Sequence, residues 1–497
     1  MVVKKEKIHF WFVAGSQHLY GSEALQEVSD HAQEIVQHLN SSTNACEIVL
    51  KETLTTSHDI LQFFKDANAD PQCAGIITWM HTFSPAKMWI AGLNELRKPL
   101  LHLHTQYNRD IPWQDIDMDF MNLNQSAHGD REYGFITARM NINRKVIVGH
   151  WQNAETVNRL QDWLTTAVAY NESKTIKVAR FGDNMRNVAV TEGDKIEAQI
   201  RLGWTIDGYG IGDLVKYINQ FSDSEVDALY KEYAETYIIG THFSDDPHVK
   251  NSILEQARIE LGLKTFLDEN GYTAFTTTFE DLYGMKQLPG LAVQRLMEQG
   301  YGFAGEGDWK TAALVRMIKQ MTNNQETSFM EDYTYHFNPQ NELVLGSHML
   351  EVCPTIANEQ PRIEVHPLSI GNKEDPARLV FNGKGGPAIN ASLIDLGHRF
   401  RLILNEVEAI APTSQEETPK LPVAKVLWSP KPSLSEATEA WIYAGGAHHT
   451  VLSFKATKEQ LTDWAELNGI ECVTIDKHTD ITQFRKELKW NEAVWGK

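Results

Sequence analysis

The chain has few cysteines, no long apolar run and no excess of basic residues, which are the features typical of disulfide-rich, membrane-spanning and nucleic-acid-binding proteins. Its 497 residues include four widely separated cysteines and no C-x-x-C pair, so neither a disulfide framework nor a thiolate zinc site is predicted, and a reducing cytoplasm is the expected location. No stretch approaches the ~18 apolar residues of a membrane span. Acidic residues outnumber basic ones, 66 to 46, for a net charge of -20. This balance argues against nucleic acid or an anionic membrane as partner; a small ligand is expected.

Alternating strand and helix patterns fill the first two thirds of the chain, which predicts parallel sheets with helices on both faces. Beyond this part the pattern changes to hairpins and short strands. We therefore predict two doubly wound, flavodoxin-like α/β domains at 1–175 and 176–327, followed by a β-rich, barrel-like domain at 328–497. Within the second domain, residues 187–191 are predicted to be extended and residues 226–239 helical.

Three strands predicted in the first domain end in segments rich in polar and aromatic residues. Because ligands of open parallel sheets bind beyond the carboxyl ends of the strands, one rim is expected to hold all three segments. The first lacks the G-x-G-x-x-G fingerprint, so a dinucleotide cofactor is not predicted. The segments are GSQHLY at 15–20, WMHTFS at 79–84 and HTQYN at 104–108.

A predicted hairpin places a carboxylate opposite an imidazole. If residues 338–341 form the loop, Phe337 pairs with Glu342, and counting back puts Glu331 across from His348, with Cβ atoms about 5 Å apart. Both would lie on a mainly apolar and aromatic face, where a charge needs a partner. The two residues are therefore interpreted either as a satisfied ion pair of the core or as part of a metal site.

Two further segments carry candidate ligands. Glu306 lies between glycines before a predicted helix whose N-cap is Asp308, and the adjacent His448 and His449 follow a Gly-Gly pair. One histidine would bind a metal ion while the other supports it, because neighbouring side chains of an extended chain point to opposite faces. Two carboxylates with two imidazoles suit Mn²⁺, Co²⁺ or Zn²⁺, and a metal with a carboxylate beside it can move a proton between neighbouring carbons of a sugar.

Seven motifs in this order resemble those of the L-arabinose isomerase family across essentially the whole chain: GSQHLYG, WMHTFSPAKMWI, NQSAHGDREYG, GFAGEGDWK, FMEDYTYHF, GSHMLEVCP and GGAHHTV. The resemblance implies conversion of L-arabinose to L-ribulose in arabinose catabolism, and of D-galactose to D-tagatose more slowly. It implies one Mn²⁺ per subunit, with Co²⁺ as a substitute, bound by Glu306, Glu331, His348 and His449. The two glutamates would also be the acid/base pair.

The resemblance further implies how the sugar is contacted and how the chains assemble. Each chain would have three domains. The chains would form a homo-oligomer, a hexamer or a tetramer, in which a neighbouring subunit supplies His128. The other implied substrate contacts are Gln17, Leu19, Phe83, Met185 and Phe279. Two alternatives stay open on the residues alone: a metal-dependent hydrolase or lyase acting on sugars, and a sugar-binding protein, which would have no use for two carboxylates at one metal.

Overall fold

A five-stranded parallel sheet forms the centre of the first unit of the chain, Met1–Asn171. The structure, a computed structural model, describes residues 8–44, 46–239, 246–368, 372–413 and 416–496. The strand order is β2-β1-β3-β4-β5. The strands are β1 (His9–Gly15), β2 (Glu47–Leu50), β3 (Cys73–Met80), β4 (Leu100–His104) and β5 (Lys145–Val148).

Helices cover both faces of this sheet because the strand residues alternate between two buried clusters. Phe10 and Phe12 pack against α1 and α6 on one face, whereas Trp11 and Val13 pack against α2, α3 and α5 on the other. This alternation is what a strand period of two requires. The helices are α1 (Gly21–Ser42), α2 (Ser57–Ala69), α3 (Ile90–Glu95), α4 (Met118–Leu123), α5 (Ser126–Arg139) and α6 (Ala154–Ser173).

The second unit, Glu172–Lys497, begins with a four-stranded parallel sheet of order β10-β9-β6-β7. Its strands are β6 (Lys177–Phe181), β7 (Thr205–Tyr209), β9 (Ala274–Thr277) and β10 (Gly302–Ala304), and the short β8 (Ile238–Ile239) lies outside it. The helices of this part are α7 (Lys195–Leu202), α8 (Ile211–Ile218), α9 (Asp223–Thr236), α10 (Pro247–Asn270), α11 (Gly290–Glu298) and α12 (Trp309–Met321).

Six later strands close into an antiparallel barrel, because the two end strands β15 and β16 also pair with each other. The barrel strands are β11 (Thr327–His336), β12 (Leu343–Ser347), β15 (Gly386–Asp395), β16 (Phe400–Ile410), β17 (Lys425–Pro430) and β18 (His449–Ser453). Strand β19 (Glu471–Ile475) adds to β16, while β13 (Arg362–Val365) and β14 (Ala377–Val380) join β8. Three helices complete the unit: α13 (Leu434–Ala444), α14 (Lys458–Asn468) and α15 (Ile481–Trp495).

The predicted fold class, two α/β sheets followed by a barrel, is confirmed, whereas the exact domain bounds 1–175, 176–327 and 328–497 stay predictions. Two local predictions are wrong. Residues 187–191 are not extended, since Ala189–Thr191 forms a 3-10 turn, and the helix predicted over 226–239 ends at Thr236 before β8. Among the residues described, no helix combines the length and apolarity that a membrane span needs.

Candidate metal and active site

Strand β11 places Glu331 between two neighbours in the barrel wall. Glu331 pairs with Ser347 on β12 and with His449 on β18. The predicted pairing with His348 is therefore wrong. The register counted from the turn holds for three pairs, then shifts by one residue at a bulge that involves Tyr333; the three pairs are His336 with Leu343, Tyr335 with Val344 and Thr334 with Leu345. A single extra residue on one strand is enough to cause this shift.

His348 reaches the site from the segment that follows β12. Its buried ring packs on Phe329, with ring centroids 4.8 Å apart, and its Nε2 atom lies 3.2 Å from where a Cβ on Gly305 would be. The absence of a side chain at Gly305 thus leaves room in front of this nitrogen. The other ring nitrogen, Nδ1, is 2.5 Å from the Glu351 carboxylate. Burial lowers the pKa of His348, but Glu351, with help from Glu331, outweighs burial and raises it.

Glu306 occupies a constrained turn after β10. Its backbone has a φ of 61°, a left-handed conformation that costs on the order of 1 kcal/mol for a residue with a side chain. Gly307 follows with a φ of 77°, and the backbone N–H of Met185 donates to the Glu306 carbonyl at 2.9 Å. Burial would raise the pKa of Glu306, but the hydrogen bond with His448 and the nearby His449 lower it. The turn therefore holds an ionised carboxylate beside imidazoles.

Both histidines of the 448–449 pair reach Glu306. The Nε2 atoms of His448 and His449 lie 3.5 and 3.9 Å from the Glu306 Oε2 atom. Strand alternation does not separate them, because His448 precedes the first residue of β18. His449 is fully buried, and its Nε2 atom has no hydrogen-bond partner among the described residues. A buried polar atom without a partner is costly, so this nitrogen is the one that a ligand would satisfy.

Two carboxylates that the sequence analysis did not assign to the site hold the buried histidines. Asp308 Oδ2 lies 3.1 Å from the Nδ1 atom of His449, and Glu351 binds His348 in the same way. Metal-binding histidines commonly donate their other ring N–H to a carboxylate, which fixes the ring orientation. Asp308 was predicted as the N-cap of α12, and it does accept a hydrogen bond from Thr311 N. The spacing of three between His348 and Glu351 was the available signal for the second carboxylate.

The buried Lys310 lies beside the Asp308 carboxylate oxygen that does not contact His449. Lys310 Nζ lies 3.3 Å from Asp308 Oδ1, and both side chains are about 1% exposed. Burial would raise the pKa of Asp308, but Lys310 and His449 hold it well below its usual range. Asp308 is thus charged and shared between the lysine, the histidine and the helix start.

The side of β11 opposite Glu331 faces the interior of the barrel. Asp332 lines a cavity of about 50 Å³ with residues from all six barrel strands and from α13, among them Tyr335, Asn390, Asn405, Trp428 and Thr450. Burial, reinforced by the Glu331 charge, raises the pKa of Asp332 to about 7. Glu331 and His449 therefore point outward to the cluster while their neighbours Asp332 and Thr450 point inward.

The cluster fits a divalent metal ion. One nitrogen or oxygen each from Glu306, His448 and His449 lie within 4.8 Å of one another, and the charges of Glu331 and Glu306 both act on His348. Carboxylate oxygens and imidazole nitrogens without a thiolate are donors for Mn²⁺, Co²⁺ or Zn²⁺. The unpartnered His449 nitrogen and the carboxylate behind each buried ring agree with that donor set.

The predicted substrate contacts of the second unit follow two adjacent strands of its parallel sheet. Met185 follows β6 and is bound to the Glu306 turn, while Phe279 follows β9 and is half-buried. Strand β7 lies on the other side of β6 from β9. The two residues therefore follow the pair of strands where the strand order reverses, which is where open α/β sheets bind ligands.

The remaining predicted contacts gather at the carboxyl edge of the first sheet. Gln17 and the 82% exposed Leu19 follow β1, and Phe83 follows the adjacent β3. Ser16 and Thr82 join the two loops by a 2.7 Å hydrogen bond between their hydroxyls. The exposed His128 lies against Phe83, with ring centroids 4.7 Å apart. The structure therefore brings Phe83 and His128 together beside the loop of Gln17 and Leu19.

These features define an α/β protein with a C-terminal barrel that carries a candidate metal cluster. Three family profiles match it: the L-arabinose isomerase N-terminal domain at residues 4–175, the central domain at 177–324 and the C-terminal domain at 326–471. The chain belongs to the L-arabinose isomerase family, which confirms the resemblance.

Similar proteins match over nearly the whole chain. An L-arabinose isomerase of Geobacillus stearothermophilus is 66% identical, with 98% of each chain covered. One of Anoxybacillus flavithermus is 65% identical, covering 98% of this chain and 97% of its own. One of Bacillus subtilis is 61% identical, with 99% of each chain covered.

Proposed function

We propose that this protein is a cytoplasmic, metal-dependent aldose-ketose isomerase that converts L-arabinose to L-ribulose in arabinose catabolism. It converts D-galactose to D-tagatose more slowly. Membership of the family supports the reaction, and the geometry of the cluster supports the chemistry. The observation that carries the proposal is the fully buried His449 Nε2 atom, which has no partner in the described part of the chain and lies 3.9 Å from the Glu306 carboxylate.

Glu306, Glu331, His348 and His449 would hold one Mn²⁺ per subunit, with Co²⁺ as a substitute. The carboxylate behind each histidine supports this assignment, since it keeps the other ring nitrogen occupied and directs Nε2 to the ion. When bound, the ion stabilises negative charge that develops on the oxygens of the sugar. His448 is more exposed than His449 and is already paired with Glu306, which favours a supporting role for it.

Glu306 and Glu331 act as the acid/base pair. One carboxylate removes the proton from C2 of the open-chain aldose while O1 gains a proton, which gives an enediol. O2 then loses its proton and C1 gains one, which gives the ketose; the two carboxylates carry these protons between neighbouring atoms. The lowered pKa of Glu306 keeps it ionised and able to accept the first proton.

The sugar is contacted by Gln17, Leu19, Phe83, Met185 and Phe279, with His128 supplied by a neighbouring subunit. This makes a homo-oligomer, a hexamer or a tetramer, necessary for catalysis. A complementation assay tests the shared site: His128→Ala and Glu306→Ala chains, weak alone, should regain partial activity when co-assembled. Mixed oligomers that form, as shown by two tags purifying together, but gain no activity would refute it.

The reaction itself is tested with chelator-stripped and Mn²⁺-loaded protein. We expect ketose from L-arabinose only with the loaded protein, and better activity with Mn²⁺ than with Mg²⁺, because Mg²⁺ prefers an all-oxygen donor set. In D₂O, deuterium should appear at C1 of the ketose. Full activity after exhaustive chelation would refute the metal site, and complete retention of the C2 hydrogen would refute the enediol route.

A further inference from the structure

One buried carboxylate, that of Asp130, binds the first turn of α5, residues 126–130, to the sheet of the first unit. Asp130 is 2% exposed, and its Oδ1 atom lies 2.8 Å from His102 Nε2 and 3.1 Å from the backbone nitrogen of Met80. Its Oδ2 atom lies 2.7 Å from His104 Nδ1. Met80 ends β3 and His104 ends β4. Asp130 therefore connects the helix to the carboxyl ends of two adjacent strands.

The same turn carries His128, and it fits closely against the loop after β3. The backbone N–H of Gln125 donates to the His81 carbonyl at 2.9 Å. A Cβ on Gly129 would lie only 2.5 Å from the Thr82 carbonyl oxygen, so this approach requires glycine. The His128 ring then packs on Phe83 of that loop. A shift of the turn would move both aromatic rings relative to the rim.

The distances favour hydrogen bonding in the Asp130 cluster over metal binding. The ligand atoms of His102, His104 and Asp130 lie within 4.8 Å of one another. However, the carboxylate oxygens are 2.8 and 2.7 Å from the ring nitrogens, which are hydrogen-bond distances. Two ligands of a tetrahedral zinc ion would stay about 3.3 Å apart. The Asp130 carboxylate is satisfied by the two histidine rings and the Met80 N–H, and it anchors α5 to the sheet.

We infer that Asp130 is a positioning residue for the isomerase reaction. Through its bonds to His102, His104 and the end of β3, it holds His128 and Phe83 in one orientation at the rim. This inference rests on the proposed function, in which Phe83 contacts the sugar and His128 contacts the sugar of a neighbouring subunit. Asp130 itself does not touch substrate, so its removal weakens sugar binding and leaves metal binding intact.

The test compares Asp130→Asn with a matched control in the same unit. Asp70→Asn loses a similar bond, from His9 Nε2 to Asp70 Oδ2 at 2.9 Å, where β1 and β3 begin rather than end. We expect Asp130→Asn to raise the KM for L-arabinose between about 10- and 100-fold, the scale of a small misplacement, with a smaller change in kcat and unchanged Mn²⁺ affinity. Asp70→Asn should leave KM unchanged. Equal effects of the two variants would overturn the inference.

A double-mutant cycle asks whether Asp130 acts through His128. The Asp130→Asn, His128→Ala double variant should lose less activity than the product of the two single losses, because the two residues act on the same contact, whereas losses that multiply would overturn the inference. Should Asp130→Asn fail to fold, His104→Leu removes one partner of the carboxylate and should change KM in the same direction.

Hydrogen exchange provides a readout that does not depend on activity. The amides of Gln125 and Gly129 should exchange faster in Asp130→Asn but not in Asp70→Asn, since the turn loses its anchor. Unchanged exchange would overturn the inference. A wild-type protein that makes no ketose would refute the proposed function instead, and the exchange result would still decide whether Asp130 orders the turn.

Discussion

The Asp308→Asn substitution tests whether the carboxylate behind His449 prepares this histidine for metal binding. Asparagine has the same shape and can still cap α12 by accepting from Thr311 N, so the helix start is kept. What changes is the charge between two buried partners, His449 Nδ1 at 3.1 Å and Lys310 Nζ at 3.3 Å. The variant therefore separates the electrostatic role of Asp308 from its capping role.

Two effects of different size are expected. Loss of the carboxylate that orients a ligand histidine typically lowers metal affinity about 10- to 100-fold, or about 1.4 to 2.7 kcal/mol. Leaving a buried lysine without its counter-ion typically costs about 3 to 5 kcal/mol of folding free energy. The lysine also donates to the Thr191 and Glu192 carbonyls at 3.0 and 2.6 Å, so we expect the loss of stability to fall near 3 kcal/mol.

Calorimetric titration of Mn²⁺ into chelator-stripped protein measures the first effect, and urea unfolding of the metal-free protein measures the second. Asp480→Asn is the matched control, because Asp480 caps α15 by accepting from Gln483 N at 2.9 Å. The control should bind Mn²⁺ like the wild type. If Asp308→Asn is folded and binds Mn²⁺ as tightly as the control, Asp308 does not prepare His449 for metal binding.

Three further results are expected. Glu306→Gln and Glu331→Gln should each lower kcat at least about 100-fold with Mn²⁺ bound; near-normal kcat in both would remove the acid/base roles. Burial lowers the pKa of His348, but Glu351 raises it more. In Glu351→Gln the pH at which protonation of His348 displaces Mn²⁺ should therefore be lower than in the wild type, as measured by Mn²⁺ binding across a pH series. Burial raises the pKa of Asp332 from 3.8 to about 7, so protonated Asp332 stabilises the folded state at low pH. This stabilisation is lost as the pH rises through 7. Urea unfolding should thus find Asp332→Asn more stable than wild type at pH 8, by on the order of 2–4 kcal/mol, but not at pH 4.

Strong local patterns made most of the fold predictable. The alternating strand and helix patterns of the first two thirds of the chain correspond to β1 to β10 and α1 to α12. The 3-10 turn Ala189–Thr191 was missed because its sequence, Val-Ala-Val-Thr around the turn, has strong β propensity that local packing overrides. Closure of the barrel needs not only the pairing of β15 with β16 but also that of β11 with β18, which lie more than a hundred positions apart along the chain, and a sequence pattern does not specify which distant strands meet.

The residue types of the candidate metal site were predictable from the sequence, but their arrangement was not. The hairpin register was correct from the turn to Thr334 and wrong at Glu331, because a bulge adds one residue to β11. Register counting assumes one residue opposite one residue, and no residue type in this segment announces the exception. On β12 the partner of Glu331 is Ser347. Its partner on the other side is His449, more than a hundred positions away along the chain, and only the folded barrel brings these two residues together.

The positions of the predicted substrate contacts follow from sheet topology, whereas those of the predicted metal ligands do not. In the first sheet Gln17 and Phe83 follow the adjacent strands β1 and β3, and in the second sheet Met185 and Phe279 follow β6 and β9. Each pair of strands lies where the strand order of its sheet reverses. The loops that follow the two strands therefore run in opposite directions and leave a crevice between them. Any chain with these strand orders would place binding residues there. The barrel residues Glu331 and His449, predicted as metal ligands, obey no such rule, since their position depends on one bulge and one long-range pairing.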